Sequence, residues 1–335
     1  MSFTTFGEIM LRLTPSDHGS KIITAQNFGV HFAGSESNVA SSLAQLGNNT
    51  QFITKLPNNS LGDAAINSLA SYGINTNNIL RGGDRIGTYF IEIGSSIRPS
   101  SVIYDRKDSA ISRINHKEFD WENILKDQKW LFISGITPAI SEKCAEEVIF
   151  LAEKAKKMNV NVSFDMNYRR TLWSDVSKAR KIFDRILEHT DLLFGNNGVL
   201  KDVYDIDVQG NNLIDKTINT TKKAKEVFGI NQLAFTVRNH HSASENELSG
   251  VYLDKDTPTV SNSYKVNILD RFGTGDAFAA AFLHGLNKGW SQEKTIGFAT
   301  AAFALKHTIK GDQHTSNEKE ISSIYQGNIT GHVLR

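Results

Sequence analysis

The chain has 335 residues, 39% of them apolar, enough to bury a large core in one α/β body. Its 37 basic and 36 acidic residues nearly cancel, which argues against a broad electrostatic footprint for nucleic acid or an anionic membrane, so any anionic ligand has to be held locally. The single cysteine, Cys144, excludes an internal disulfide framework and a cysteine-rich zinc site, and with no apolar run approaching a membrane helix or a signal peptide the expectation is a cytoplasmic protein.

In chain order, short β-rich runs alternate with longer helical patterns. The first strand is expected at 4–9, a helix at 37–46, a strand at 51–56 and a helix at 61–72. Strands at 130–134 and 160–165 flank a helix at 141–158. A helix at 175–189 leads to a strand at 191–194. After a helix at 222–228 and a strand at 232–237 come two long helices, 275–288 and 292–307. This alternation predicts a parallel sheet covered by helices. Two segments interrupt it, about 14–32 and 83–114, the second holding β-type runs at 87–93 and 101–104 with no helix between them. Strands without crossover helices imply antiparallel pairing, and the two segments are expected to build one small accessory sheet, a lid. No repeat or low-complexity linker marks a second unit, so the expectation is a single domain over 1–335.

The sharpest local signal is Arg271-Phe272-Gly273-Thr274-Gly275-Asp276-Ala277-Phe278, followed by a helix of small residues. Two glycines let successive backbone N–H groups point outward, and the positive end of the new helix adds to them: an anion hole. Asp276 suits a base beside that hole, accepting the proton of an attacking hydroxyl, a reading preferred to the alternative of an ordinary first-turn acid. The Gly-Lys-Ser/Thr phosphate loop, Gly-x-Gly-x-x-Gly, Gly-x-Ser-x-Gly and His-Glu-x-x-His are all missing, which disfavours a dinucleotide dehydrogenase or a hydrolase.

The Gly273 to Phe278 run resembles the C-terminal signature of the ribokinase-like (PfkB) carbohydrate kinases, and Ala33-Gly34-Ser35-Glu36-Ser37-Asn38-Val39-Ala40 resembles their N-terminal signature, in the right order and spacing. The resemblance spans essentially the whole chain. It implies a three-layer α/β/α sandwich with a small antiparallel β lid, ATP as phosphoryl donor with Mg²⁺, and a homodimer formed through the lid. Within the family, Asp165-Met166-Asn167-Tyr168-Arg169 with Leu172-Trp173, then Tyr104-Asp105-Arg106 with Ser109-Ala110, and Gly311-Asp312 are similar to 2-keto-3-deoxygluconate kinases.

The resemblance assigns Gly34, Ser35, Asn38, Tyr89, Tyr104, Arg106, Arg169 and Asp312 to the sugar, with Asp276 as base and Gly273, Thr274 and Gly275 as the anion hole. Asn167, Arg169, Asn196, Arg238, the 273–276 loop and Thr300 are assigned to the nucleotide. Arg106 and Arg169 suit a substrate carboxylate because a planar guanidinium makes bidentate, charge-assisted pairs; surface ion pairing is the plainer account of either. Two departures stand out. Val199 occupies the position where many members carry a glutamate that organises magnesium, so the sequence names no metal ligand. Arg238-Asn239-His240-His241-Ser242-Ala243-Ser244 replaces a glycine-rich nucleotide loop, and the adjacent histidines read as a solvated polar loop. The expected reaction is phosphorylation of 2-keto-3-deoxygluconate at its 6-hydroxyl, the alternatives being a kinase for a neutral sugar such as fructose or ribose and a non-catalytic sensor on the same fold.

Overall fold

The computed structural model describes residues 2–17 and 19–331. Its strands are β1 Ser2–Phe6, β2 Met10–Pro15, β3 Phe28–Ala33, β4 Asn49–Ile53, β5 Lys55–Leu56, β6 Leu80–Arg81, β7 Thr88–Glu92 and β8 Ser101–Asp105. They continue with β9 Trp130–Ser134, β10 Asn161–Asp165, β11 Leu192–Gly195, β12 Gln232–His240, β13 Glu245–Asp254, β14 Thr257–Val260 and β15 Tyr264–Asn267. The α-helices are α1 Ser35–Gln45, α2 Ser60–Ser71, α3 Trp121–Leu125, α4 Glu142–Lys157, α5 Val176–Leu187, α6 Asn197–Tyr204, α7 Leu213–Phe228, α8 Thr274–Lys288, α9 Gln292–Lys306 and α10 Glu318–Tyr325.

The large sheet has the order β14-β13-β12-β11-β10-β9-β1-β4 with β15 beside β13, parallel from β12 to β4 and antiparallel beyond β12. Its central strands are apolar on both faces, as a sheet covered twice must be. On β9, Leu131 and Ile133 join the core under α4 and α5, while Trp130 and Phe132 join the core under α1, α8 and α9. That division makes three layers, helices on either side of one sheet. The helices on the second face approach closely because they are built of small residues: a Cβ at Gly285 of α8 would sit 2.9 Å from the Thr295 side chain of α9.

The strand expected at 4–9 stops early. β1 ends at Phe6, the Gly7 amide bonds the Ile53 carbonyl at 3.2 Å, and the chain then leaves the large sheet to start β2 at Met10. The small sheet, order β3-β2-β7-β8, therefore begins four residues before the expected 14–32 segment. Its hairpins β2–β3 and β7–β8 are antiparallel as expected, but the seam β2–β7 is parallel, because the chain crosses through the large body between them. Register stacks His31, Arg12, Tyr89 and Tyr104 in one row across the four strands, and Val30, Leu13, Phe90 and Ile103 in the next. Successive residues point to opposite faces, so the two rows belong to different sides of the sheet. The 238–244 segment is not a free loop either: β12 runs to His240, paired with β13, and turns at 241–244.

Candidate active site

A cavity of about 630 Å³ opens at the carboxyl ends of β10, β11 and β12, between the start of α8 and the small sheet. That is where the crevice of an open α/β sheet lies. On β12 the alternating residues Ala234, Thr236, Arg238 and His240 all line it, a consequence of the period of two along a strand.

Gly273 caps α8 with φ of 71°, and a Cβ there would fall 1.8 Å from the Asp312 carbonyl oxygen, so both conformation and contact require glycine. The helix's first bond runs from the Ala277 amide to the Gly273 carbonyl at 3.0 Å, leaving the amides of Thr274, Gly275 and Asp276 without intrahelical acceptors. At Gly275 no atom stands within 4 Å of where a Cβ would project. Space, free donors and the positive helix end coincide there.

Asp276 lies in this first turn. Its Oδ1 accepts from Ser35 Oγ at 2.8 Å and its Oδ2 from Asn38 Nδ2 at 2.7 Å. The Ser35 hydroxyl in turn accepts from Asn167 Nδ2 at 2.9 Å. Burial pushes the Asp276 carboxyl up to about 7, with Asp165 and Asp312 adding to the shift and Asn38 and Ser35 opposing it. A carboxyl tuned to near neutrality, held in place and beside a helix start with free amides, has the properties that general-base chemistry asks for. Gly34, which starts α1, needs its missing Cβ as well: one would sit 1.9 Å from the Glu8 carbonyl oxygen.

The cations gather separately. Arg169, Arg238 and Arg271 all line the cavity. Arg238 donates to Thr274 Oγ1 at 3.1 Å and stacks over Phe303, 5.2 Å from the ring centroid. Burial, with the charges of Arg271 and Arg169, pushes it down to about 9. Arg169 is exposed, and its hydrogen bond goes to the Tyr168 carbonyl at 3.3 Å, leaving most of its fork free. Asn196 spends its side chain on capping α6, accepting from the Val199 amide at 3.1 Å, and still faces the cavity beside Val199.

Thus Gly34, Ser35, Asn38, Tyr89, Tyr104, Asn167, Arg169, Asn196, Arg238, 273–276 and Asp312 share one cavity. Arg106 and Thr300 lie outside its lining. Arg106 is buried behind Tyr104, 5.5 Å from that ring's centroid, and is ion-paired with Glu8, Nε donating to Oε2 at 2.7 Å. Thr300 turns its hydroxyl back to the Ile296 carbonyl at 2.8 Å, against Gly250 of β13; Phe303, one turn on, is the α9 residue that reaches the cavity. The structure adds Asp165, a half-buried residue whose carboxyl desolvation pushes up to about 6 and which accepts from the Asn167 amide at 3.0 Å. It also adds Arg12, wholly buried, which pairs with Asp312 and with Asp270 at 2.7 Å, while Tyr89 Oη donates to Asp312 Oδ2 at 3.0 Å. Position at the end of a strand was the available signal for Asp165. Nothing local marks Arg12.

A buried carboxyl beside a helix start with free amides, on a doubly covered α/β sheet next to a small β sheet, suits a phosphotransferase that acts on a hydroxyl, and comparison with known proteins gives that class. The chain belongs to the pfkB family of carbohydrate kinases, whose model matches residues 2–320, and it is a sugar kinase. A 2-dehydro-3-deoxygluconokinase structure from Thermotoga maritima is 41% identical with a TM-score of 0.94, covering 98% of each chain. A putative 2-keto-3-deoxygluconate kinase from Enterococcus faecalis is 31% identical with a TM-score of 0.92, over 100% of this chain and 99% of that one. The 2-dehydro-3-deoxygalactonokinase of Haloferax volcanii is 32% identical over 98% of this chain and 97% of its own length. Among the described residues no helix is long and apolar enough to cross a membrane.

Proposed function

We propose that this kinase transfers the γ-phosphoryl group of ATP to the 6-hydroxyl of 2-keto-3-deoxygluconate, giving the 6-phosphate and ADP. The observation that carries the reading is the Arg169 guanidinium, largely unpaired, on the same cavity as the anchored Asp276 carboxylate. A neutral sugar gives such a fork only uncharged oxygens to bind, whereas a sugar acid offers a planar carboxylate and a charge-assisted bidentate pair. Asp276 takes the proton as the hydroxyl oxygen attacks the γ-phosphorus, the bond to the β-phosphate oxygen breaks, and the amides of 274–276 hold the charge on the transferred group. Arg238 and Arg271 hold the nucleotide's phosphates.

Among the described residues no three acidic, histidine or cysteine groups surround a common point, and Val199 adds an apolar wall. Asp165 and Asn196 on the cavity would be the side chains available to a magnesium ion that arrives with the nucleotide. Such an ion would supply neutralisation of the phosphate charge. The small sheet serves as a lid over the sugar, bringing Tyr89 and Tyr104 down from its inner row and excluding water. Its outer row leaves Val30 and Ile103 more than half exposed, at 57% and 54%, an apolar patch suited to pairing the lids of two subunits.

The test is ADP release with 2-keto-3-deoxygluconate, its galactonate epimer, fructose and ribose, on wild type and Arg169→Ala. Loss of one charged hydrogen-bonding fork, roughly 1.5–3 kcal/mol, raises KM for the sugar acid about ten- to hundred-fold. An unchanged KM, or equal losses on acid and neutral sugars, would give the site to a neutral sugar.

A further inference from the structure

We propose that Lys306 is a positioning residue for phosphoryl transfer, a built-in cation that fixes the turn on which the anion hole rests. Lysine is almost never fully buried unless paired, yet Lys306 at the end of α9 has no exposed surface. Its ammonium is held by carbonyl dipoles, donating to the Ile309 oxygen at 3.0 Å and the Gly311 oxygen at 2.6 Å. The charged and titratable groups around it come from several elements: Asp270 ahead of the loop, Asp312 in the turn, Arg12 of β2 and Asp276 of α8, with His307 and His314 close by.

The turn it holds is the back wall of the site. The Asp312 carbonyl packs against Gly273, where even a methyl group would collide with it, and the Asp312 carboxylate takes Arg12 and Tyr89. Further bonds stitch turn and loop together. Asp270 accepts from the Gly311 amide at 3.0 Å and the Phe272 amide at 3.1 Å, and the His307 carbonyl accepts from the Leu269 amide at 2.8 Å. Two carbonyls aimed into a closed space repel one another unless a cation or donor lies between them. Withdrawing the ammonium frees residues 309–312, removes the backing of Gly273 and lets the amides of 274–276 drift from the place where charge develops. A displacement of that size at the reacting centre lowers turnover, while Arg169 and the sugar pocket keep their geometry.

The experiment measures kcat and KM for Lys306→Ala and Lys306→Met, well below their melting temperatures, on whichever sugar acid the wild type phosphorylates fastest. Chloride salts of sodium, potassium, ammonium and choline are compared at one ionic strength. The expected result is a kcat loss of about ten- to hundred-fold, the size of a lost charged hydrogen bond, with KM for the sugar within about three-fold of wild type. In Lys306→Ala, ammonium or potassium entering the vacated space restores part of kcat and choline does not, while the wild type responds to none of the four. The proposal fails if either variant keeps kcat within two-fold of wild type, or if kcat and KM change together with no dependence on the cation. Should neither variant fold, the wild type decides: more than two-fold activation by potassium over choline would show that a diffusible ion, not Lys306, fills this role.

Discussion

Replacing Asp276 with asparagine separates what the carboxylate does for the reaction from what it costs the fold. Burial pushes its pKa from the ordinary 3.8 to about 7, so the folded protein favours the neutral form. At 1.36 kcal/mol per unit, the ionised carboxylate above pH 7 carries a penalty with an upper bound of about 4 kcal/mol. The sign follows from the shift. Below 3.8 the group is protonated in folded and unfolded chains alike and contributes nothing; the penalty grows as pH rises from about 4 and is complete above 7. Asparagine keeps an oxygen for Asn38 Nδ2 and can turn its amide to the Ser35 hydroxyl, so both partners stay bonded without the charge. Asp276→Asn is therefore expected to melt several degrees above wild type at pH 8 and level with it near pH 4, measured by circular dichroism. In the same variant turnover falls by about 10² to 10⁴, the loss usual for a missing general base. A gap in melting temperature that does not change with pH, or turnover within ten-fold of wild type, refutes the assignment of Asp276 as a buried, tuned base.

The two glycines of the anion hole are expected to respond in opposite ways. Gly273→Ala forces a methyl group to within 1.8 Å of the Asp312 carbonyl in a left-handed conformation, so urea unfolding should show a loss of at least about 1–3 kcal/mol. Gly275→Ala projects into open space and should leave stability within about 0.5 kcal/mol, yet lower kcat/KM for ATP by on the order of 10- to 10²-fold because its methyl group occupies the place of the phosphates; normal kinetics in that variant would move the phosphates elsewhere. Arg106→Ala strands the buried Glu8 carboxylate and should cost about 3–5 kcal/mol of stability, so equal melting curves would show that the ion pair is not what Arg106 is for.

The large sheet was legible because its strands are short apolar runs separated by helices of clear period, as in Trp130–Ser134 and α4. Its antiparallel margin was not, since 245–267 mixes Glu245, Asn246, Glu247 and Asp254 with the apolar residues and blurs the alternation. Likewise the apolar 4–9 run hides a change of sheet that turns on Gly7 and its bond to Ile53. In the site, Asp276 and the anion hole were readable because eight consecutive residues contain the glycines, the helix start and the acid. Arg12 and Asp312 lie 300 residues apart, and their pairing exists only once β2 has crossed to the small sheet. Arg106 presents the converse case: its motif fits a ligand-binding arginine, but it is buried outside the cavity lining and ion-paired with Glu8, brought alongside by the same crossing.

These long-range pairings explain why the cavity holds its charges in two unbalanced sets. Arg12 is ion-paired with Asp312 and Arg106 with Glu8, so the groups left without an ion-pair partner are Arg169, Arg238 and Arg271 on one hand and Asp165 and Asp276 on the other. Each set carries the mark of its isolation: burial and mutual repulsion push Arg238 down to about 9, and burial with Asp165 pushes Asp276 up to about 7. Were the arginines free to pair with the aspartates, both shifts would collapse and the base would be an inert carboxylate. Kept apart, they are relieved by what the reaction brings. In the proposed reaction the nucleotide's phosphates answer Arg238 and Arg271, the substrate carboxylate answers Arg169, and the proton leaving the sugar hydroxyl answers Asp276, so the energy the fold spends on holding unpaired charge is returned in binding and in transfer rather than in stability.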